Sequence, residues 1–162
     1  MPPAFDTLVT LHSAALHAYL WRLLRDPADA EDALQETFLR AFKAYARAAN
    51  HPNLRAWLYR IATNVARTQQ KRAARAAART SALDPELAAA GPGVAEQVAT
   101  AQARQAVAAA VAALPEQQRA ALILRKYQEL EYAEIAAVLA CTEAAARANV
   151  YQALKKLRQL DW

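Results

Sequence analysis

The sequence is short of residues that interrupt helices and of residues that build covalent or metal-held frameworks. Glycine occurs only twice in 162 residues, as Gly91 and Gly93, while alanine is abundant. That pairing favours an all-α protein. Cysteine occurs once, as Cys141, so no internal disulfide can form, and a reducing cytoplasm is the simplest setting. His12, His17 and His51 lack metal-ligand spacing with one another or with Cys141, and no metal site is expected. No apolar run approaches the ~18 residues of a membrane span, and no signal peptide is evident. Paired buried carboxylates, a Gly-rich phosphate loop and a Cys/His constellation are all lacking from the pattern. Catalytic residues and a cofactor are therefore expected to be absent, and an enzyme is the least supported class.

What is present is a basic helix. Residues 53–79 read NLRAWLYRIATNVARTQQKRAARAAAR, without a single Asp or Glu. Leu54, Leu58, Ile61 and Val65 recur at helical spacing and form one stripe. Arg60, Asn64, Arg67 and Lys71, with Arg72 beside them, share an edge of the same helix, and Trp57 stands at its border. Cations neutralise phosphates, and an amide can read a base edge. A solvated basic helix is the competing reading, although charge runs of that kind normally mix signs. The net charge of +5, from 20 basic and 15 acidic residues, suits an anionic partner without proving one.

Elsewhere, Phe5, Leu8, Val9, His12, Leu16, Tyr19, Leu20 and Leu23 predict a first amphipathic helix, with His12 at the edge of its core side. Asp26-Pro27-Ala28-Asp29 is a helix start: Asp26 can cap and Pro27 fits the first turn. The second helix is expected to bury Ala30, Leu34, Phe38, Ala41, Phe42 and Tyr45. Its other face carries Asp32, Gln35, Glu36, Leu39, Arg40 and Lys43. Asn53 is expected to cap the basic helix. Pro85, Gly91, Pro92 and Gly93 mark a linker with transient helix. The predicted organisation is a three-helix domain over 1–78, a linker over 79–102 and a second helical domain over 103–162.

In the second domain the helical pattern returns from Ala103. Leu114-Pro115-Glu116 restarts it, and Leu122, Ile123, Leu124 and Tyr127 are expected in the core. Ile135, Ala136, Leu139, Cys141 and Val150 fit a helix-turn-helix, with Thr142 as cap of the longer helix. Cys141 then reads as a small packed residue rather than a nucleophile. Arg147, Asn149, Tyr151 and Gln152 point outward, and Lys155 follows at the helix end. An antiparallel helix pair inside a bundle is the competing reading.

Two separated stretches resemble one family. DAEDALQETFLRAFKAY with LRAWLYRIATNVAR is similar to region two of bacterial extracytoplasmic-function (group four) sigma factors of the sigma-70 family. LPEQQRAALILRKYQELEYAEIAAVLACTEAAARANVYQALKKLR resembles their region four. The resemblance implies a non-catalytic subunit of RNA polymerase that directs the core enzyme to specific promoters. Its region two would dock on the clamp helices of the largest polymerase subunit and melt the minus-ten element. Its region four would dock on the beta-subunit flap and read the minus-thirty-five element. By position, Asp32, Gln35, Glu36, Arg40 and Lys43, with Leu39 among them, match the polymerase-docking helix. Asn64 matches a residue that captures a flipped-out minus-ten base, flanked by Trp57, Arg60, Arg67 and Lys71. Arg147 matches a region-four arginine at the minus-thirty-five element. An anti-sigma factor is the family's usual further partner.

The chain departs from the family in the recognition helix. Gly-Thr-Val-Arg-Ser-Arg is common there, whereas Ala144-Ala145-Ala146-Arg147-Ala148-Asn149 stands here. Glu131 replaces the usual Ser or Thr cap. Fewer cations make fewer phosphate contacts, so weaker reading of the minus-thirty-five element is expected. Two alternatives follow: a helix-turn-helix regulator acting without polymerase, and a polymerase-binding adaptor with weakened DNA reading.

Overall fold

The computed structural model describes residues 1–79 and 95–159, with 95–100 described as backbone alone. The described residues form seven helices: α1 (Phe5–Leu24), α2 (Pro27–Ala48), α3 (Leu54–Arg79), α4 (Ala95–Ala112), α5 (Glu116–Lys126), α6 (Tyr132–Leu139) and α7 (Glu143–Arg158). The predicted linker residues 95–102 thus belong to the start of α4, where Ala and Gln are good helix formers. Residues 80–94 lie outside the described residues.

Local chemistry fixes the helix ends. The Asp26 carboxylate accepts from the Asp29 N–H at 2.9 Å, and Pro27 occupies the first turn of α2. Asn53 Oδ1 accepts from the Ala56 N–H at 3.0 Å and starts α3. The Thr142 hydroxyl accepts from the Ala145 N–H at 3.0 Å and starts α7. Arg25 closes α1 in the left-handed region at φ 59°, its N–H bonded to the Trp21 carbonyl at 2.8 Å.

The first three helices share a core. Leu16, Tyr19 and Leu20 of α1 are fully buried against Leu58, Ala62 and Val65 of α3. Each buried leucine contributes roughly 1.5–3 kcal/mol. Tyr19 and Thr63 share a buried hydrogen bond of 2.7 Å. The Thr63 hydroxyl donates its single proton to the Tyr59 carbonyl, so Tyr19 is the donor to Thr63. Burial drives the Tyr19 phenol far above its ordinary titration range.

On α2 the buried stripe is Ala30, Ala33, Thr37 and Ala41. Phe42, expected inside, is 64% exposed and meets the Phe5 ring edge-on at 5.3 Å. Small residues at three-and-four spacing let α2 approach its neighbours closely, and Phe42 stands about 100° away from Ala41 around the helix.

The remaining helices pack around Leu122, Ile123, Leu124, Leu130, Ile135 and Val150. Tyr127, also expected inside, is 48% exposed, with the Arg22 guanidinium 4.3 Å from its ring centre. Ala140 makes the turn between α6 and α7 in the left-handed region at φ 54°, and the Cys141 N–H reaches the Ala136 carbonyl at 3.0 Å. Cys141 is partly buried, and burial raises its thiol pKa, which suits a packing residue. Among the described residues, no helix is long and apolar enough to cross a membrane and no group of His, Cys, Asp and Glu could hold a metal ion.

Candidate nucleic-acid and polymerase interface

The outer face of α2 carries its predicted side chains to the surface. Asp32, Gln35, Leu39, Arg40 and Lys43 are exposed, and Glu36 is half-buried. Arg40 Nε donates to Glu36 Oε1 at 2.7 Å, one turn apart. Leu39 is 49% exposed, and with Phe42 it places apolar surface among these charges. Such a face suits a protein partner better than a phosphate backbone, because two carboxylates lie on it.

On α3 the helix divides its residues cleanly. Leu58 and Val65 are buried, while Arg60, Asn64 and Lys71 are exposed along one edge. Trp57 is half-buried, its ring centre 6.4 Å from that of Tyr45. Two predicted members of this edge sit elsewhere. Arg67 is turned toward α5, where its Nε lies 2.5 Å from Glu116 Oε1 and its guanidinium donates to Gln117 Oε1 at 3.1 Å. Arg72 lines a groove of about 250 Å³ between α2 and α3, together with Asp32, Glu36 and Arg40. The structure therefore joins Arg60, Asn64 and Lys71 as one exposed cation-and-amide edge, with Arg67 and Arg72 on either side.

The helix-turn-helix forms from α6 and α7. Tyr151, Gln152 and Lys155 are exposed, and Asn149 is half-buried. Thr142 spends its hydroxyl oxygen on the helix cap. Arg147 pairs with Glu143 at 2.8 Å, and its guanidinium lies 5.2 Å from the centre of the Tyr132 ring. Glu131 does not stand alone at the start of α6: its N–H donates to Glu134 Oε1 at 3.1 Å.

Sequence reading missed the seam between α3 and α6. Glu134 accepts from Arg55 at 2.8 Å and from Asn53 Nδ2 at 2.9 Å. Burial works against the charge of Glu134, but the hydrogen bonds from Asn53, Arg55 and the Glu131 N–H, with the Arg55 charge, outweigh it and hold the carboxyl below its ordinary range. Nearby, the Tyr59 hydroxyl donates to Gln128 Oε1 at 2.7 Å, and burial pushes that phenol up to about 12. The only sequence signal was a helix N-terminus rich in donors, which named no acceptor.

Residues 8–76 match the family model of sigma-70 region 2, and residues 104–157 match that of sigma-70 region 4. The RNA polymerase sigma-H factor of Pseudomonas aeruginosa is 30% identical over 158 residues, covering 93% of this chain and 82% of that protein. The ECF RNA polymerase sigma factor SigE of Mycolicibacterium smegmatis is 30% identical over 96% of this chain and 61% of that protein. Among solved structures, the sigma factor RpoE of Bartonella quintana, in complex with the anti-sigma factor NepR, superposes with a TM-score of 0.77 at 25% identity, covering 96% of this chain and 94% of that one. With region two carrying the α3 edge and region four carrying the helix-turn-helix, the chain belongs to the extracytoplasmic-function branch of the sigma-70 family of RNA polymerase sigma factors.

Proposed function

We propose that this sigma factor holds core RNA polymerase through the outer face of α2 and captures the melted minus-ten element through the edge of α3. Asp32, Gln35, Glu36, Leu39, Arg40 and Lys43 meet the clamp helices of the largest subunit. Arg60 and Lys71 hold the separated strand by charge, Trp57 offers a stacking face, and Asn64 pairs with a flipped base. The observation that carries this is the exposure of Asn64 between exposed cations on a helix whose next residue, Val65, is buried.

Region four reads the minus-thirty-five element through Arg147, Asn149 and Gln152, with Tyr151 and Lys155 against the backbone. The pairing of Arg147 with Glu143 supports a weak reading there. Residues 1–78 and 103–162 act as two working units joined by 79–102, and region four also meets the beta-subunit flap. The protein is a non-enzymatic initiation factor of the cytoplasm, and an anti-sigma factor holds it inactive, as the complex of its Bartonella relative suggests.

Run-off transcription with purified core polymerase on a promoter library tests this reading. Core-dependent transcripts sharing a minus-ten motif are expected. Sequence-specific duplex binding without polymerase, and no initiation with it, would favour a regulator instead.

A further inference from the structure

We propose that a cleft between α1, α4 and α5 is a binding site for a small amphiphilic anion, an aliphatic acyl chain with a carboxylate or phosphate head. No residue lining it belongs to the α2 docking face, the α3 edge or the helix-turn-helix, so the inference goes beyond the sigma-factor reading and does not depend on it.

The sequence builds the cleft from two sides. On α4, Arg104, Val107, Ala108 and Val111 recur at three-and-four spacing and share one face. Trp21, Arg22 and Arg25, at the end of α1, supply the other wall, and Ile123 and Tyr127 complete the lining. The cleft measures about 380 Å³, which lies within the range of small-molecule sites. One turn of α-helix, about 10 Å across and 5.4 Å long, would itself displace ~420 Å³. The cleft therefore suits a small molecule better than a helical peptide.

Charge selects the sign of the ligand. Three arginines line the cleft, and none of its lining residues is acidic. The Arg22 guanidinium lies 4.3 Å from the centre of the Tyr127 ring, and that of Arg25 lies 4.6 Å from the Trp21 ring. A guanidinium stacked on a ring keeps its in-plane N–H donors for an anion. Among the ion pairs of the described residues, none includes Arg22, Arg25 or Arg104. Asp26, next to Arg25 in the chain, uses a carboxylate oxygen on the Asp29 N–H at 2.9 Å.

The rest of the lining selects the body of the ligand. Val107, Val111 and Ile123 offer aliphatic surface, and Trp21 and Tyr127 are 37% and 48% exposed. A neutral hydrocarbon would leave the guanidinium donors unused, and inorganic phosphate would leave the apolar wall wet. An acyl anion meets both demands, with its chain on the valines and its head on the arginines.

Isothermal titration calorimetry of the full chain with decanoate, decyl phosphate, decanol and inorganic phosphate tests the site. One-to-one binding of decanoate or decyl phosphate is expected, roughly tenfold or more tighter than decanol or inorganic phosphate. The tighter of the two anions names the head group. Arg25→Asn with Arg104→Gln should weaken that anion roughly tenfold, to the level of decanol. Both side chains are exposed, and asparagine tolerates the left-handed backbone at residue 25, so the fold is kept. Arg47→Gln with Arg158→Gln removes the same charge from exposed positions outside the cleft and should change nothing. Ala108→Trp fills the cleft and should abolish binding. Circular dichroism checks folding, and the arginine pair decides alone if Ala108→Trp is unfolded. Equal affinity for decanoate and decanol, equal losses in the cleft and control variants, or no binding of either anion would overturn the proposal. Run-off transcription by the wild type reads the sigma-factor claim separately, so each can fail without the other.

Discussion

Arg147 and Glu143 form an ion pair of 2.8 Å within one turn of α7, at the head of the recognition helix. The family resemblance places Arg147 against DNA, and its own helix supplies a carboxylate that competes for it. Both side chains are more than 40% exposed, so the pair itself is weak and DNA can displace it at modest cost. Removing the minus-thirty-five element should therefore reduce transcription by this protein only partly. Glu143→Ala should increase dependence on that element, because Arg147 is released. Complete loss of run-off transcript on the deleted promoter, with the minus-ten element kept, would contradict this.

The proposed docking face of α2 makes a separable prediction. Asp32 is exposed, and Glu36 contacts only Arg40 of the same helix among the ion pairs of the described residues. Neither supports the core, so Asp32→Lys with Glu36→Lys should keep helicity and thermal stability within about 1 kcal/mol. Capture of core polymerase in a pull-down should fall to background. Normal capture by this double variant would remove α2 from the interface.

Tyr19 tests the packing of α1 on α3. Tyr19→Phe removes the donor to Thr63 but leaves the Thr63 hydroxyl bonded to the Tyr59 carbonyl. A loss of about 1 kcal/mol in urea unfolding is expected, near the net value of one hydrogen bond. A loss beyond ~3 kcal/mol would mean that the phenol does more than this bond.

Glu134 gives a pH signature. Its folded carboxyl titrates below its ordinary value of 4.5. The stability it contributes is then fully present above that value and is lost as pH falls through the lower folded value. Thermal melts of the wild type and Glu134→Gln should differ by a constant gap at neutral pH, and the gap should shrink only once the pH falls below the ordinary carboxyl value of 4.5. A gap that widens on acidification would reverse the assigned direction.

Much of the scaffold was legible because it rests on short-range rules. The caps at Asp26, Asn53 and Thr142 each need only a side chain and an N–H three residues on. The stripe of α1 and the split of α3 follow from helical period alone. Phe42 and Tyr127 were misplaced because bulk and apolarity outranked position: α2 buries a run of small residues instead, and Tyr127 finds a cation on its face. The exposed edge of α3 was legible in Arg60, Asn64 and Lys71. Arg67 was not, since its carboxylate partner lies on α5, outside any local pattern. The same holds for Glu134, which meets Arg55 across 79 residues of sequence.

The account turns on Asn64, which stands exposed one turn after the exposed Arg60. An amide can both donate to and accept from the edge of a flipped base, and alanine can do neither. The direct measurement is run-off transcription by wild type and Asn64→Ala with core polymerase, on promoters carrying each base at every minus-ten position. The variant should bind polymerase normally, form open complexes more slowly, and lose its base preference at one minus-ten position. Lys71→Ala should instead weaken all promoters alike and flatten the salt dependence. A variant that keeps the wild-type base preference and melting rate would show that Asn64 does not capture a base.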